Sequence, residues 1–293
     1  MLKFKKWVVR SVIYLAAVFL MGVVNLLPWR IASFLGGIIG GFVYYLLPRE
    51  RRISQQNLTL AFPEKDQKEI VRLARESFVF QGRNLFELLS FRKLNKKKIN
   101  SLVTVEGRIN LDEAFSKGKG MIFVTGHIGN WELLAAWLTL NGFPVYPIAR
   151  RVYDDRLNKI LLKLRGGVGV QTILRSESPF AILRTLRKKA ILGFLPDQTI
   201  SGPGVNCVFF GHPAYTSLGL ASLAQKTGTP VVAGFISRNG CKHKFVIGEE
   251  IKFISTGDTQ KDAESNTQIV TTIIEEAIRR QPAQWVWMHR RWK

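Results

Sequence analysis

The sequence predicts an α/β fold, in which a central sheet is flanked by helices and an apolar helical segment lies at the amino terminus. Short apolar runs typical of buried strands occur at residues 121–125, 190–195, 230–236 and 245–247. Segments of helical character lie before or between these strands, at residues 66–90, 131–140, 154–164, 179–189 and 216–227. Strands that alternate with helices are typical of a layered α/β core, and 293 residues are enough to build one.

Two apolar runs of 17 residues, at 11–27 and 31–47, predict a membrane-associated helical region over residues 1–48. As a helix each run reaches roughly 26 Å, slightly short of the roughly 30 Å hydrocarbon core of a bilayer. Basic residues precede the first run, but no small-residue cleavage site separates the two, which disfavours a secretory signal. The second run contains G-x-x-x-G spacings that permit close helix contact. Both a second membrane segment and a core helix of the domain that follows fit this second run.

The charge balance narrows the class of partner. The chain carries 43 Lys and Arg against 21 Asp and Glu, a net charge of +22, while 46% of its residues are hydrophobic. That hydrophobic content excludes a disordered basic tail, because disorder requires low hydrophobicity as well as charge. The charge therefore indicates a polyanion: nucleic acid, anionic lipid or an acidic carrier protein. Two cysteines, Cys207 and Cys241, are too few for a disulfide framework or a zinc ribbon.

The candidate chemistry lies directly after the strand at 121–125, where His127 and Glu132 are five residues apart. On one helix they would point about 140° apart, so we expect His127 in the turn and Asn130 as the helix cap. The Glu132 carboxylate would then fold back to the imidazole, fix its tautomer and leave the other ring nitrogen as a general base. Gly126 and Gly129 would let a substrate approach, and free N–H groups at the helix start would receive an oxyanion.

Residues 127–132 match the H-x4-D/E motif of glycerolipid-type acyltransferases, and the chain resembles the lipid A biosynthesis branch of that superfamily. Further matches occur, in order, at residues 52–63, 197–198, 209–211 and 282–293. The resemblance implies a mixed central sheet in an acyltransferase domain over residues 49–293. It also implies transfer of a fatty acyl chain from an acyl-carrier-protein or CoA thioester to a hydroxyl of a lipid A precursor. Another glycolipid or a lysophospholipid is the alternative acceptor.

The same resemblance assigns roles to this chain's residues. His127 would be the base and Glu132 its orienting group, while Arg165, or failing that Arg150, would clamp a phosphate of the acceptor. We predict substrate binding also at Gly129, Asn130 and Asp197. Asp197 follows a strand, so it would lie where α/β sheets bind ligands, although a buried structural carboxylate fits equally well.

The resemblance further implies a protein of the bacterial inner membrane with its catalytic domain on the cytoplasmic face. Acyl carrier protein, anionic lipid or lipid A precursor, and the membrane are the expected partners, with no metal or other cofactor. A thioester is already activated, so its transfer needs only a base and oxyanion stabilisation.

Aromatic and basic residues are interleaved near the end of the chain: Trp285, Trp287 and Trp292 with Arg290, Arg291 and Lys293. This composition suits a membrane interface.

Two other classes of function are less well supported. A nucleic-acid binder would explain the basic residues but not the two apolar runs. A metallohydrolase could combine His127 and Glu132 with one of three other histidines, His212, His243 or His289, but the H-E-x-x-H motif is absent. The absence of G-x-S-x-G argues against a serine hydrolase.

Overall fold

A computed structural model describes residues 2–200 and 202–292 of the chain. The helices in the described part are α1 (Leu2–Leu26), α2 (Trp29–Leu46), α3 (Pro48–Ala61), α4 (Gln67–Leu89), α5 (Lys96–Leu102), α6 (Arg108–Ser116), α7 (Trp131–Leu140), α8 (Asp155–Gly166), α9 (Pro179–Arg187), α10 (Gly219–Thr227) and α11 (Thr259–Arg280). The strands are β1 (Val103–Glu106), β2 (Met121–Val124), β3 (Val145–Ala149), β4 (Ile173–Leu174), β5 (Ile191–Phe194), β6 (Gly204–Phe209), β7 (His212–Ser217), β8 (Val231–Asn239) and β9 (Lys242–Glu250).

Seven strands form one mixed sheet in the order β1-β9-β8-β2-β5-β3-β4. Strands β8, β2, β5, β3 and β4 are parallel to one another, whereas β9 is antiparallel to β8 and carries β1 parallel to itself. The predicted α/β fold with a mixed sheet flanked by helices is therefore confirmed. Because the parallel strands end at one edge, the segments that follow β2, β3, β4 and β5 emerge side by side there.

The prediction of a helix over residues 216–227 was wrong at its start. Thr216 and Ser217 belong to β7 and pair with Val205 and Gly204 of β6, and α10 begins only at Gly219. The turn of this hairpin contains Phe210 and Gly211, both with positive φ, as a tight β-hairpin turn requires.

Helix α2 packs against α4 through small residues, as its G-x-x-x-G spacings predict. A Cβ added to Gly36 would lie 2.5 Å from the carbonyl oxygen of Gly82 on α4, so the two backbones are in direct contact. The opposite face of α2 carries exposed apolar side chains, including Phe34 and Phe42. Residues Trp7–Leu26 of α1 are apolar, and among them Val24 alone is buried. By length and composition both helices can cross a membrane, and the boundary at residue 48 stays a prediction.

Trp285 and Trp287 lie in the core and Trp292 packs against it half-buried, so the prediction of a membrane interface at these residues was wrong. Trp285 and Trp287 are fully buried, and their indole N–H groups donate to Asp197 Oδ2 (2.7 Å) and to the Pro282 carbonyl (2.6 Å). Arg291 is also buried, with its guanidinium bonded to the β6–β7 hairpin. The segment folds back against the sheet edge, and Lys293 lies outside the described residues.

Candidate active site

The loop between β2 and α7 places His127 at the edge where the parallel strands end. Asn130 caps α7 by accepting a hydrogen bond from the backbone N–H of Leu133 (3.0 Å), and the helix begins at Trp131. Both features confirm the prediction of a turn followed by a capped helix. The imidazole edge contacts the Trp131 ring, with the ring centroids 5.0 Å apart.

The carboxylate that is hydrogen-bonded to the His127 imidazole belongs to Asp197, which follows β5. His127 Nδ1 lies 2.8 Å from Asp197 Oδ1, and the backbone N–H of His127 donates to Asp197 Oδ2 (2.7 Å). Burial alone would raise the pKa of Asp197, but the charge of His127 and hydrogen bonds from His127 and Trp285 lower it to about 2. An ionised carboxylate only accepts hydrogen bonds, so Nδ1 donates to Asp197, and Nε2 is the ring nitrogen left to accept a proton.

Glu132 does not orient the base, contrary to our prediction. Its carboxylate forms a bidentate ion pair with Arg165 of α8, with Nε–Oε2 and Nη2–Oε1 distances of 2.9 and 2.6 Å. Burial would lower the pKa of Arg165, but Glu132 outweighs this and raises it. This ion pair engages the Arg165 guanidinium at the cavity, and the role of Arg165 as a phosphate clamp stays a prediction. Glu132 lies in the first turn of α7 and is bonded to α8. The carboxylate bonded to His127 is that of Asp197, which follows β5.

Gly129 has a structural role, which differs from the substrate-binding role that we predicted. Its backbone N–H donates to the carbonyl oxygen of Gln284 (3.0 Å), and its own carbonyl accepts from Asn84 Nδ2 (2.5 Å). Its φ is +56°, and a Cβ there would clash with the Ile236 carbonyl. The glycine therefore admits the protein's own β8 backbone. Asn130 accepts from the N–H groups of Leu133 and Leu134, so the N–H groups of Trp131 and Glu132 are the candidate oxyanion donors at the start of α7.

A cavity of about 350 Å³ opens beside His127, a size typical of small-ligand sites. Apolar side chains from α7 and the sheet form its inner wall, among them Phe123, Leu134, Leu138, Val145 and Ile191. The polar groups in its lining are His127, Trp131, Glu132, Arg150, Arg165, Arg175, Gln198, Thr199 and His289, with Thr125. Arg150 thus lies where we predicted a substrate-binding residue, whereas sequence analysis missed Arg175, which follows the two-residue strand β4.

Residues 2–293 match the sequence profile of the family described as bacterial lipid A biosynthesis acyltransferase. The chain belongs to this family. It is 26% identical over 274 residues to a lipid A biosynthesis palmitoleoyltransferase of Escherichia coli (strain K12), covering 91% of this chain and 86% of that protein. It is 24% identical over 277 residues to the lauroyltransferase of the same strain, covering 91% and 87%.

Similarity also extends to an acyltransferase with a different acceptor in its name. The chain is 24% identical over 217 residues to a phosphatidylinositol mannoside acyltransferase of Mycobacterium tuberculosis (strain CDC 1551 / Oshkosh), covering 72% of this chain and 67% of that protein. The relatives and the family are all acyltransferases, so the protein is an acyltransferase, as the sequence motifs predicted.

A fully buried carboxylate, Glu87 of α4, supports the active-site loop of this acyltransferase. Its oxygens accept hydrogen bonds from Ser33 Oγ, Asn130 Nδ2 and Arg238 Nη2, each at 2.7 Å, and His243 Nε2 lies 3.3 Å away. Burial would raise the pKa of Glu87, but the hydrogen bonds and charges of His243 and Arg238 hold it well below its usual range. Asn130 is itself buried, so its side chain serves the helix cap and Glu87, which contradicts its predicted role in substrate binding.

Replacement of Glu87 by alanine is expected to lower the free energy of unfolding by about 3 to 5 kcal/mol, because it leaves the buried Arg238 without a counter-charge. Chemical denaturation of the purified protein in detergent measures the change. Glu76→Ala, on the same helix but in an exposed pair with Arg72 (3.0 Å), is the control and should cost less than about 1 kcal/mol. Equal effects of the two variants would contradict a structural role for Glu87.

Proposed function

We propose that this acyltransferase moves a fatty acyl chain from the thioester of acyl carrier protein or CoA to a hydroxyl of a lipid A precursor. The observation that carries the proposal is the pairing of His127 with the buried, ionised Asp197 beside a cavity that has an apolar wall. The lipid A acyltransferases among the relatives support the choice of acceptor. A phosphatidylinositol mannoside or another glycolipid is the second candidate, favoured by the mycobacterial relatives.

In this mechanism His127 Nε2 accepts the proton of the acceptor hydroxyl, and the oxygen attacks the thioester carbonyl carbon. Asp197 stabilises the imidazolium that forms, since its negative charge lies against Nδ1. The N–H groups at the start of α7 stabilise the negative oxygen of the tetrahedral intermediate. Collapse of that intermediate breaks the carbon–sulfur bond, and the proton on Nε2 passes to the leaving thiolate. No metal is needed, because the thioester supplies the activation.

The apolar inner wall of the cavity is suited to the hydrocarbon chain of the donor. Leu134 and Leu138 of α7 line it together with the sheet residues Val145 and Ile191, so an acyl chain that enters from His127 would leave water there. The cavity holds the chain while its thioester carbon stays beside the base, an arrangement that favours transfer by proximity.

We propose that α1 and α2 attach the enzyme to the bacterial inner membrane, with its catalytic domain on the cytoplasmic face. The exposed apolar surface of both helices supports attachment. Helix α8 carries the basic residues Arg156, Lys159 and Lys163 and is bonded to α1: Arg156 donates to Ser11 Oγ (3.1 Å) and lies over the Tyr14 ring. This contact would hold the cavity region close to the membrane surface.

A transfer assay with the full chain in detergent tests the proposal. Labelled acyl-carrier-protein and acyl-CoA thioesters are offered with lipid A precursor, phosphatidylinositol mannoside or lysophospholipid, and products are identified by mass spectrometry. We expect an ester on a hydroxyl of the lipid A precursor, formed at a higher kcat/KM than on the other two acceptors. Equal or faster acylation of the mannoside would make phosphatidylinositol mannoside the proposed acceptor instead. Acylation of none of the three acceptors would refute the proposal.

A further inference from the structure

Two arginines stand side by side at the edge of the cavity. Arg150 directly follows β3 and Arg175 directly follows β4, two parallel strands in which Ala149 is paired with Leu174. The backbone N–H of Arg175 donates to the Ala149 carbonyl (2.9 Å), so the pairing brings the two arginines to adjacent positions. Both side chains line the cavity that contains His127.

The acidic side chains near these two arginines are bonded to other groups. Glu132 is held by Arg165, and Asp155 by Arg151 (2.9 Å). Glu177, two residues after Arg175, accepts a hydrogen bond from the backbone N–H of Leu174 (2.8 Å). Within residues 2–200 and 202–292, neither Arg150 nor Arg175 forms an ion pair with a carboxylate. Partial burial and, to a lesser extent, the like charge of Arg150 lower the pKa of Arg175, as expected for two cations that lie close together.

We infer that Arg150 and Arg175 bind a phosphate group of a substrate that occupies the cavity. Two guanidinium groups on neighbouring strand ends can donate to the oxygens of one phosphate, and the anion would relieve their mutual repulsion. The inference rests on the proposed function for the identity of that substrate. The phosphate belongs either to the lipid acceptor or to the donor, as the phosphodiester of a carrier's pantetheine arm or the phosphates of CoA.

A binding measurement tests the site without any turnover. Inorganic pyrophosphate is titrated calorimetrically into the full chain in detergent, and into the variants Arg150→Gln, Arg175→Gln and Arg151→Gln. We expect each of the first two variants to weaken binding about 10- to 100-fold, the effect of losing a charge-assisted contact. Arg151 is the matched control, because it is adjacent in sequence but paired with Asp155. Equal weakening by all three variants, or no binding by the parent, would overturn the inference.

Steady-state kinetics identify the source of the phosphate. For Arg150→Gln and Arg175→Gln we expect KM to rise about 10- to 100-fold for one substrate only, with kcat changed less than about threefold. A rise for the phosphorylated acceptor, absent with the enzymatically dephosphorylated acceptor, assigns the group to the lipid. A rise for the acyl donor assigns it to the thioester. Unchanged KM for both substrates would refute the inference. Variant-sensitive pyrophosphate binding without any transfer to lipid A precursor would retain the phosphate site and refute only the proposed acceptor.

Discussion

His127→Ala is expected to lower the rate of acyl transfer by about 10²- to 10⁴-fold, the usual contribution of a positioned general base. The side chain is partly exposed at the cavity and packs against Trp131, so its removal should leave the fold intact. The measurement is kcat with labelled thioester and lipid A precursor, accompanied by the thermal unfolding temperature in detergent.

His212→Ala provides the matched control for His127, because His212 is exposed on β7 and does not line the cavity. That variant should keep the parent rate. Near-normal transfer by His127→Ala, with an unchanged unfolding temperature, would refute the role of the imidazole as base.

Asp197→Asn is expected to reduce kcat almost as much, on the order of 10²- to 10⁴-fold. The amide cannot supply the negative charge that stabilises the imidazolium, and its NH₂ group can hold the ring in the wrong tautomer. Glu132→Gln should cause a smaller loss, because that side chain is paired with Arg165 and is not bonded to the imidazole. The two variants are compared for kcat at saturating donor and acceptor.

The reverse order, a severe loss for Glu132→Gln and a mild one for Asp197→Asn, would support the arrangement that the sequence alone suggested. Unfolding measurements on both variants separate a lost charge from a lost structure, since Asp197 also accepts from Trp285.

Much of the fold can be predicted from local patterns. The apolar run before His127 and the capped helix after it appear as β2 and α7, because burial periodicity and the Asn130 cap act over a few residues. The start of α10 could not be predicted in the same way. The residues before it, Thr216 and Ser217, belong to β7, and their pairing with β6 holds them in a strand.

The partner of His127 could not be predicted from spacing, because two carboxylates were available and only the sheet order decides between them. Glu132 is five residues away in sequence, but β5 lies beside β2 and brings Asp197 to the ring. The position of Arg175 could not be predicted from spacing either, because it is adjacent to Arg150 only through the β3–β4 pairing. The burial of Trp285 and Trp287 could not be predicted from composition either. A segment of interleaved aromatic and basic residues has the same composition whether it lies in a protein core or at a membrane surface.

The buried Glu87 left one signal in the sequence. It lies between Phe86 and Leu88, close to the buried Phe86 and Leu89 on the same helix, and a charge at such a position requires a partner. That partner, Arg238, is more than a hundred residues away and becomes apparent only in the folded chain.

The most direct test of the central claim, that His127 and Asp197 act as one unit, is a double-mutant cycle on kcat. If Asp197 works only through the imidazole, Asp197→Asn combined with His127→Ala should be about as slow as His127→Ala alone. If Asp197→Asn instead lowers the rate by the same factor in the His127→Ala background as in the parent, the two side chains act independently and the proposed mechanism is contradicted.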